Sequence, residues 1–105
     1  MARFARRAKR DLSQNAIAAA MTELGAVVTD LSAVGGGVPD LLVSFRGQWF
    51  LVEAKSHKKI SHRTQKHELT PAQTAWHAAQ RAEICIAQDG EAAVTWLLGH
   101  TTRRL

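Results

Sequence analysis

Residues 35 to 55, GGGVPDLLVSFRGQWFLVEAK, constrain the fold more than any other stretch of the chain. Two apolar runs rich in Leu, Val, Phe and Trp are separated only by Arg46-Gly47. Short runs of this composition bounded by Gly and Pro read as strands, and a two-residue break is the length of a tight hairpin. That hairpin pairs Phe45 with Gln48. One face of the pair then carries Leu42, Ser44, Trp49 and Leu51, and the other carries Leu41, Val43, Phe45, Phe50 and Val52. Both faces are largely apolar, so helices are expected over both.

The flanking segments supply those helices. In DLSQNAIAAAMTELG, residues Ile17, Ala20, Met21 and Leu24 follow the spacing of an amphipathic helix. Asp11 or Ser13 can cap its start, and Gly25 suits its end. AVVTDL reads as a short strand and SAVGGG as a loop. No P-loop lysine follows these glycines, which excludes nucleotide binding by that route. SHKKISHRTQKHE has no clear period and reads as a long exposed loop. LTPAQTAWHAAQRA reads as a helix capped by Thr70, with Pro71 at its first position and a face of Ala72, Ala75, Trp76 and Ala79. EICIA is a strand, Asp89-Gly90 a turn, and EAAVTWLL a last helix ended by Gly99. The order is αβββαβα. A chain of 105 residues that is 46% hydrophobic has room for one core. Residues 1–10 form a basic N-terminal arm, as an extended tail or an early helical turn, and residues 11–105 form a single domain.

Three charges stand at the outer ends of the paired strands. Continuing the hairpin register sets Asp40 opposite Glu53 on one face, and Lys55, two residues on, shares it. Opposed carboxylates destabilise a strand pair unless something compensates. A hard divalent cation such as Mg²⁺, held by carboxylate and carbonyl oxygens, is the simplest compensation. Such a pair suits phosphodiester hydrolysis, with Lys55 stabilising charge on the phosphate or orienting the attacking water. The competing reading is a salt bridge of Lys55 with either carboxylate. It leaves Asp40, the glycines and the basic segment unexplained.

GGGVPDLLV, FLVEAK and LTPAQTAW together resemble the VRR-NUC family of the PD-(D/E)xK nuclease superfamily, in its short stand-alone form common in phages and prophages. The resemblance runs over roughly residues 11 to 98. It implies a restriction-endonuclease-like core with a mixed sheet flanked by helices, dependence on Mg²⁺ or Mn²⁺, and DNA cleavage. Stand-alone members resemble Holliday-junction resolvases and tend to be homodimers. By position, Asp40 and Glu53 become metal ligands with the backbone carbonyl of Ala54, and Lys55 the catalytic lysine. Gln73 matches a helix glutamine that supports the lysine or the phosphate. Gln73 equally completes a capping box with Thr70. One departure stands out: many relatives carry an acidic residue on the first helix, where this chain has Gln14 and Asn15. Gln14 could hold a metal-bound water through its amide. The alternatives are weaker metal binding or one metal in place of two. Glu23 is too far along the helix to substitute.

The net charge of +5 points to a polyanionic partner. Lys58, Lys59, Arg63 and Lys66, with Arg6, Arg7, Lys9 and Arg10, are the candidate phosphate contacts. They would position DNA, branched DNA included, without reading its sequence. His57, His62 and His67, with His77 and Cys85, lack the tight ligand set that zinc wants. Cys85 reads as a small buried hydrophobe, and Trp49, Trp76 and Trp96 as core. No apolar run reaches the ~20 residues of a membrane span, and the N-terminus lacks the apolar stretch of a secretory signal. A cytoplasmic location is expected.

Overall fold

The computed structural model of the protein describes residues 12–55, 58–60, 63–65 and 69–101. Helix α1 (Leu12–Leu24) leads to β1 (Val27–Asp30), β2 (Leu41–Phe45) and β3 (Gln48–Ala54). A small ribbon, β4 (Lys58–Ile60) and β5 (Arg63–Gln65), precedes α2 (Pro71–Ala78), β6 (Cys85–Ala87) and α3 (Gly90–His100). The main sheet is mixed, in the order β1-β2-β3-β6. Its first three strands are antiparallel neighbours, and β6 runs parallel to β3. A mixed four-stranded sheet flanked by helices, in αβββαβα order, is the α/β architecture expected from the sequence.

The hairpin register is the expected one: Phe45 pairs with Gln48 and Leu41 with Val52. Arg46 and Gly47 take φ of 51° and 80°. Two successive left-handed residues make the turn whose twist matches the strands it joins. Helix α1 ends as a Schellman motif, with Gly25 N–H donating to Thr22 and Ala26 N–H to Met21.

The core lies on one face of the sheet. Leu41, Val43, Phe45, Phe50, Val52, Cys85 and Ala87 point there, against Ile17 and Met21 of α1 and Ala93 and Leu97 of α3. Cys85 is buried, and burial pushes its thiol up to about 12, which suits an inert hydrophobe. The two helices cross closely: a Cβ on Gly90 would come within 2.7 Å of the Ala20 methyl.

Even cover of both faces does not hold. α2 has only 8 residues, about 12 Å of helix, and none of them is buried. It overlies only the end of the second face, and Trp49 is left 71% exposed instead of core. Trp76 is half-buried. Trp96 packs as expected, edge-on to Phe50 with ring centroids 5.6 Å apart. The partly buried side of α2 is Gln73, Trp76 and His77, with Gln80 just beyond its end, in place of the alanine face read from the sequence, because the sheet end beneath it is polar.

Three boundaries also differ. The segment after Lys55 contains the β4–β5 ribbon, Lys58 pairing with Gln65 and Ile60 with Arg63, in place of a continuous loop. Strands of three residues are too short for apolar alternation to register, so periodicity is silent about them. Asp89-Gly90 is no separate turn: Asp89 caps α3, its carboxylate accepting the Ala92 N–H at 2.8 Å, and the helix runs through Gly99. Ser13 lies inside α1 and does not cap it. Asp11, the basic arm with Arg6, Arg7, Lys9 and Arg10, and Lys66, His57, His62 and His67 lie outside the described residues.

Candidate active site

The ends of β2 and β3, the start of α1 and the first turn of α2 enclose a cavity of about 380 Å³. Asp40, Glu53, Ala54, Lys55, Gln73 and Gln14 all line it, together with Ser13, Ser32 and Thr70. Every site residue expected from the sequence outside the basic set is therefore brought to one place.

Asp40 follows Pro39 and immediately precedes β2. Its backbone carbonyl accepts the Leu31 N–H at 2.7 Å, which ties it to the end of β1. Its side-chain Oδ2 accepts the Ala54 N–H at 2.9 Å. Lys55 N–H turns the other way and donates to Ala87 of β6 at 2.8 Å. Alternation along β3 therefore aims the Ala54 carbonyl at the same edge as its own N–H, beside Asp40.

Glu53 is 1% exposed, a burial rare for a carboxyl. Its Oε2 accepts from Gln73 Nε2 at 3.1 Å, and its Oε1 lies 3.3 Å from His77 Nε2. Burial pushes its pKa up to about 8; hydrogen bonding to Asp40 and the Asp40 charge add to this, and the nearby Lys55 charge opposes it. His77 is held below its ordinary value, by burial first and then by the Lys55 charge. The separation of His77 Nε2 from Glu53 Oε1 is that of a hydrogen bond.

Gln73 performs both roles between which the sequence left a choice. Its Oε1 accepts the Thr70 N–H at 2.8 Å, and its own N–H donates to Thr70 Oγ1 at 3.2 Å. That capping box leaves Nε2 free to reach Glu53. The glycine loop sets the position of this helix start. At Gly37, φ is +88°, a Cβ would collide with the Ala72 carbonyl, and it would lie 3.1 Å from the Gln73 nitrogen.

The donor set fits a hard cation. Two adjacent carboxyls and a strand carbonyl line one cavity, the oxygen set that a hard cation takes. Gln14, 7% exposed, brings an amide from α1 to the cavity lining. Glu23 lines a separate groove between α1 and α3 and takes no part. Among the described residues there is no cluster of three or more His, Cys, Asp or Glu placed to hold a metal. Zinc through His77 and Cys85 is not built, since Cys85 faces the core on the opposite side of the sheet. Lys58, Lys59 and Arg63 fall on the β4–β5 ribbon that follows Lys55 in the chain.

The sequence reading missed His77, Ser13, Ser32 and Thr70 as lining or contacting residues. His77 was discoverable: it stands four residues after Gln73 and so shares its helix face. No helix among the described residues is long and apolar enough to cross a membrane. No family model, curated protein or solved structure matches the chain.

Proposed function

We propose that this protein is a metal-dependent endodeoxyribonuclease that hydrolyses DNA phosphodiester bonds and selects its substrate by structure, in the manner of a Holliday-junction resolvase. The observation that carries this reading is the buried Glu53 carboxyl beside Asp40, in a cavity that Lys55 also lines. A protein that only holds DNA gains nothing from two carboxyls where phosphate would lie. Bound at Asp40, Glu53 and the Ala54 carbonyl, Mg²⁺ or Mn²⁺ would acidify a water and offset charge growing on the phosphate. Lys55 would stabilise that charge or orient the water. Gln73 holds Glu53 in place from α2. The basic residues before and after the site would track phosphates, so binding should weaken steeply with salt. Two copies would offer two sites for paired cuts in a branched duplex.

The test is cleavage of labelled four-way junction, flap, single-stranded and linear duplex DNA in Mg²⁺, Mn²⁺ or EDTA, beside Lys55→Ala. Metal-dependent cutting that disappears in the variant is the expected result. Tight binding without cutting in any metal would replace this reading by the second one. That second reading is a DNA-binding module with a nuclease fold, or a nuclease subunit completed by a partner. The amide of Gln14, standing where relatives of the resembled family place an acid, favours it.

A further inference from the structure

We propose that His77 is a positioning residue that orients the Glu53 carboxylate for a cation; this rests on the metal-dependent reading of the site. The geometry is specific. Gln73 and His77 are four residues apart on α2 and grip the two oxygens of one carboxyl, at 3.1 Å and 3.3 Å. Two hydrogen-bond partners, one on each oxygen, fix the plane of the group, where one would leave it free to swing. The clamp is itself braced. The Gln73 amide is held by the Thr70 capping box, and the His77 side chain is 13% exposed. When Glu53 is ionised its oxygens can only accept, so the contact requires a proton on His77 Nε2. The same carboxyl neighbours Asp40 and lines the cavity. Partners that orient a metal-binding carboxylate commonly set affinity by about tenfold to a hundredfold.

The experiment titrates Mn²⁺ into metal-free full-length protein by calorimetry, without DNA. Wild type, His77→Leu, His77→Gln and Asp40→Asn are compared, each with a circular dichroism melt. His77→Leu keeps bulk without a donor, and His77→Gln places an amide N–H near the former Nε2. Leucine should weaken Mn²⁺ binding by about tenfold or more, and glutamine should restore it to within a few-fold of wild type. Should the leucine variant not fold, His77→Asn takes its place, because its shorter amide falls short of Glu53. Equal binding by wild type and the donor-free variant, or equal loss in the donor-free and glutamine variants, overturns the role given to His77. If Asp40→Asn abolishes binding while His77→Leu leaves it intact, the inference alone fails. If wild type itself takes up no Mn²⁺, the metal reading fails and His77's role goes with it.

Discussion

The Asp40 carboxylate accepts the Ala54 backbone N–H at 2.9 Å, linking the residue that precedes β2 to the last residue of β3. This contact has a structural duty and an electrostatic cost. It closes the hairpin end where regular pairing between the strands has stopped. It also holds a carboxyl next to buried Glu53, and so raises the Glu53 pKa. The two effects can be separated by substitution.

Asp40→Asn keeps an oxygen for the Ala54 amide and removes the like charge. In EDTA at about pH 9, where Glu53 is ionised, it should melt at or above wild type. Asp40→Ala loses the acceptor and should be destabilised by about 1 kcal/mol relative to Asp40→Asn. Both should lose metal-dependent cleavage by about a hundredfold or more. Thermal melts and a cleavage time course check this. An asparagine variant that melts well below wild type would show that the charge itself stabilises the fold.

Glu53 makes stability depend on pH. Its folded value of about 8 lies above the ordinary 4.5, so the native state binds this proton more tightly. The stability it contributes is full below 4.5 and is lost as pH rises through about 8. Metal-free protein should therefore melt lower at about pH 9 than at about pH 6. Excess Mg²⁺, which binds the ionised form, should recover part of the alkaline loss. Melts in EDTA and in Mg²⁺ across this range, with Glu53→Gln alongside, measure the effect. A slope that survives unchanged in Glu53→Gln would assign it to other groups.

The double duty of Gln73 predicts a split between stability and chemistry. Thr70→Ala removes the hydroxyl that caps the helix and should cost about 1 kcal/mol. Gln73 can still reach Glu53, so cleavage per folded molecule should stay within a few-fold of wild type. Gln73→Glu preserves the capping-box pattern but sets a third carboxylate against Glu53. It should fold and cut poorly. Denaturant melts paired with initial rates on the preferred DNA decide the matter, and similar rate losses in both variants would refute the split.

Gly37→Ala should disturb the site from outside it. The added methyl would meet the Ala72 carbonyl in a backbone that L residues rarely adopt. A destabilisation of about 2 kcal/mol or more is expected. Gly35→Ala, with φ of +78° but nothing within 4 Å, should lose only the conformational part, about 1 kcal/mol. Comparable losses in the two variants, measured by denaturant melts, would mean that the Gly37–Ala72 approach carries no weight.

How much could be read in advance followed the range of the interaction. The Arg46-Gly47 turn, the Thr70 cap and the helix stop at Gly25 are made by residues a few positions apart, and all three are present. Trp49 was misjudged because alternation assigns a residue to a face but not whether anything covers that face. The alanine face of α2 was misjudged for the same reason: a small helix against a polar sheet end turns its polar side inward.

The sequence alone determined the hairpin register. Side chains alternate with a period of two, so a two-residue turn leaves only one pairing, and that pairing carries Asp40 to Glu53. It also determined the αβββαβα order and the single core, through apolar spacing and turn residues. Only the tertiary structure decided that α2 docks over Glu53, 20 residues from Gln73 and 24 from His77 in the chain. No local dihedral preference specifies that contact. It depends on the whole sheet being assembled, on Gly37 letting the helix approach, and on how little of the second face so short a helix can cover.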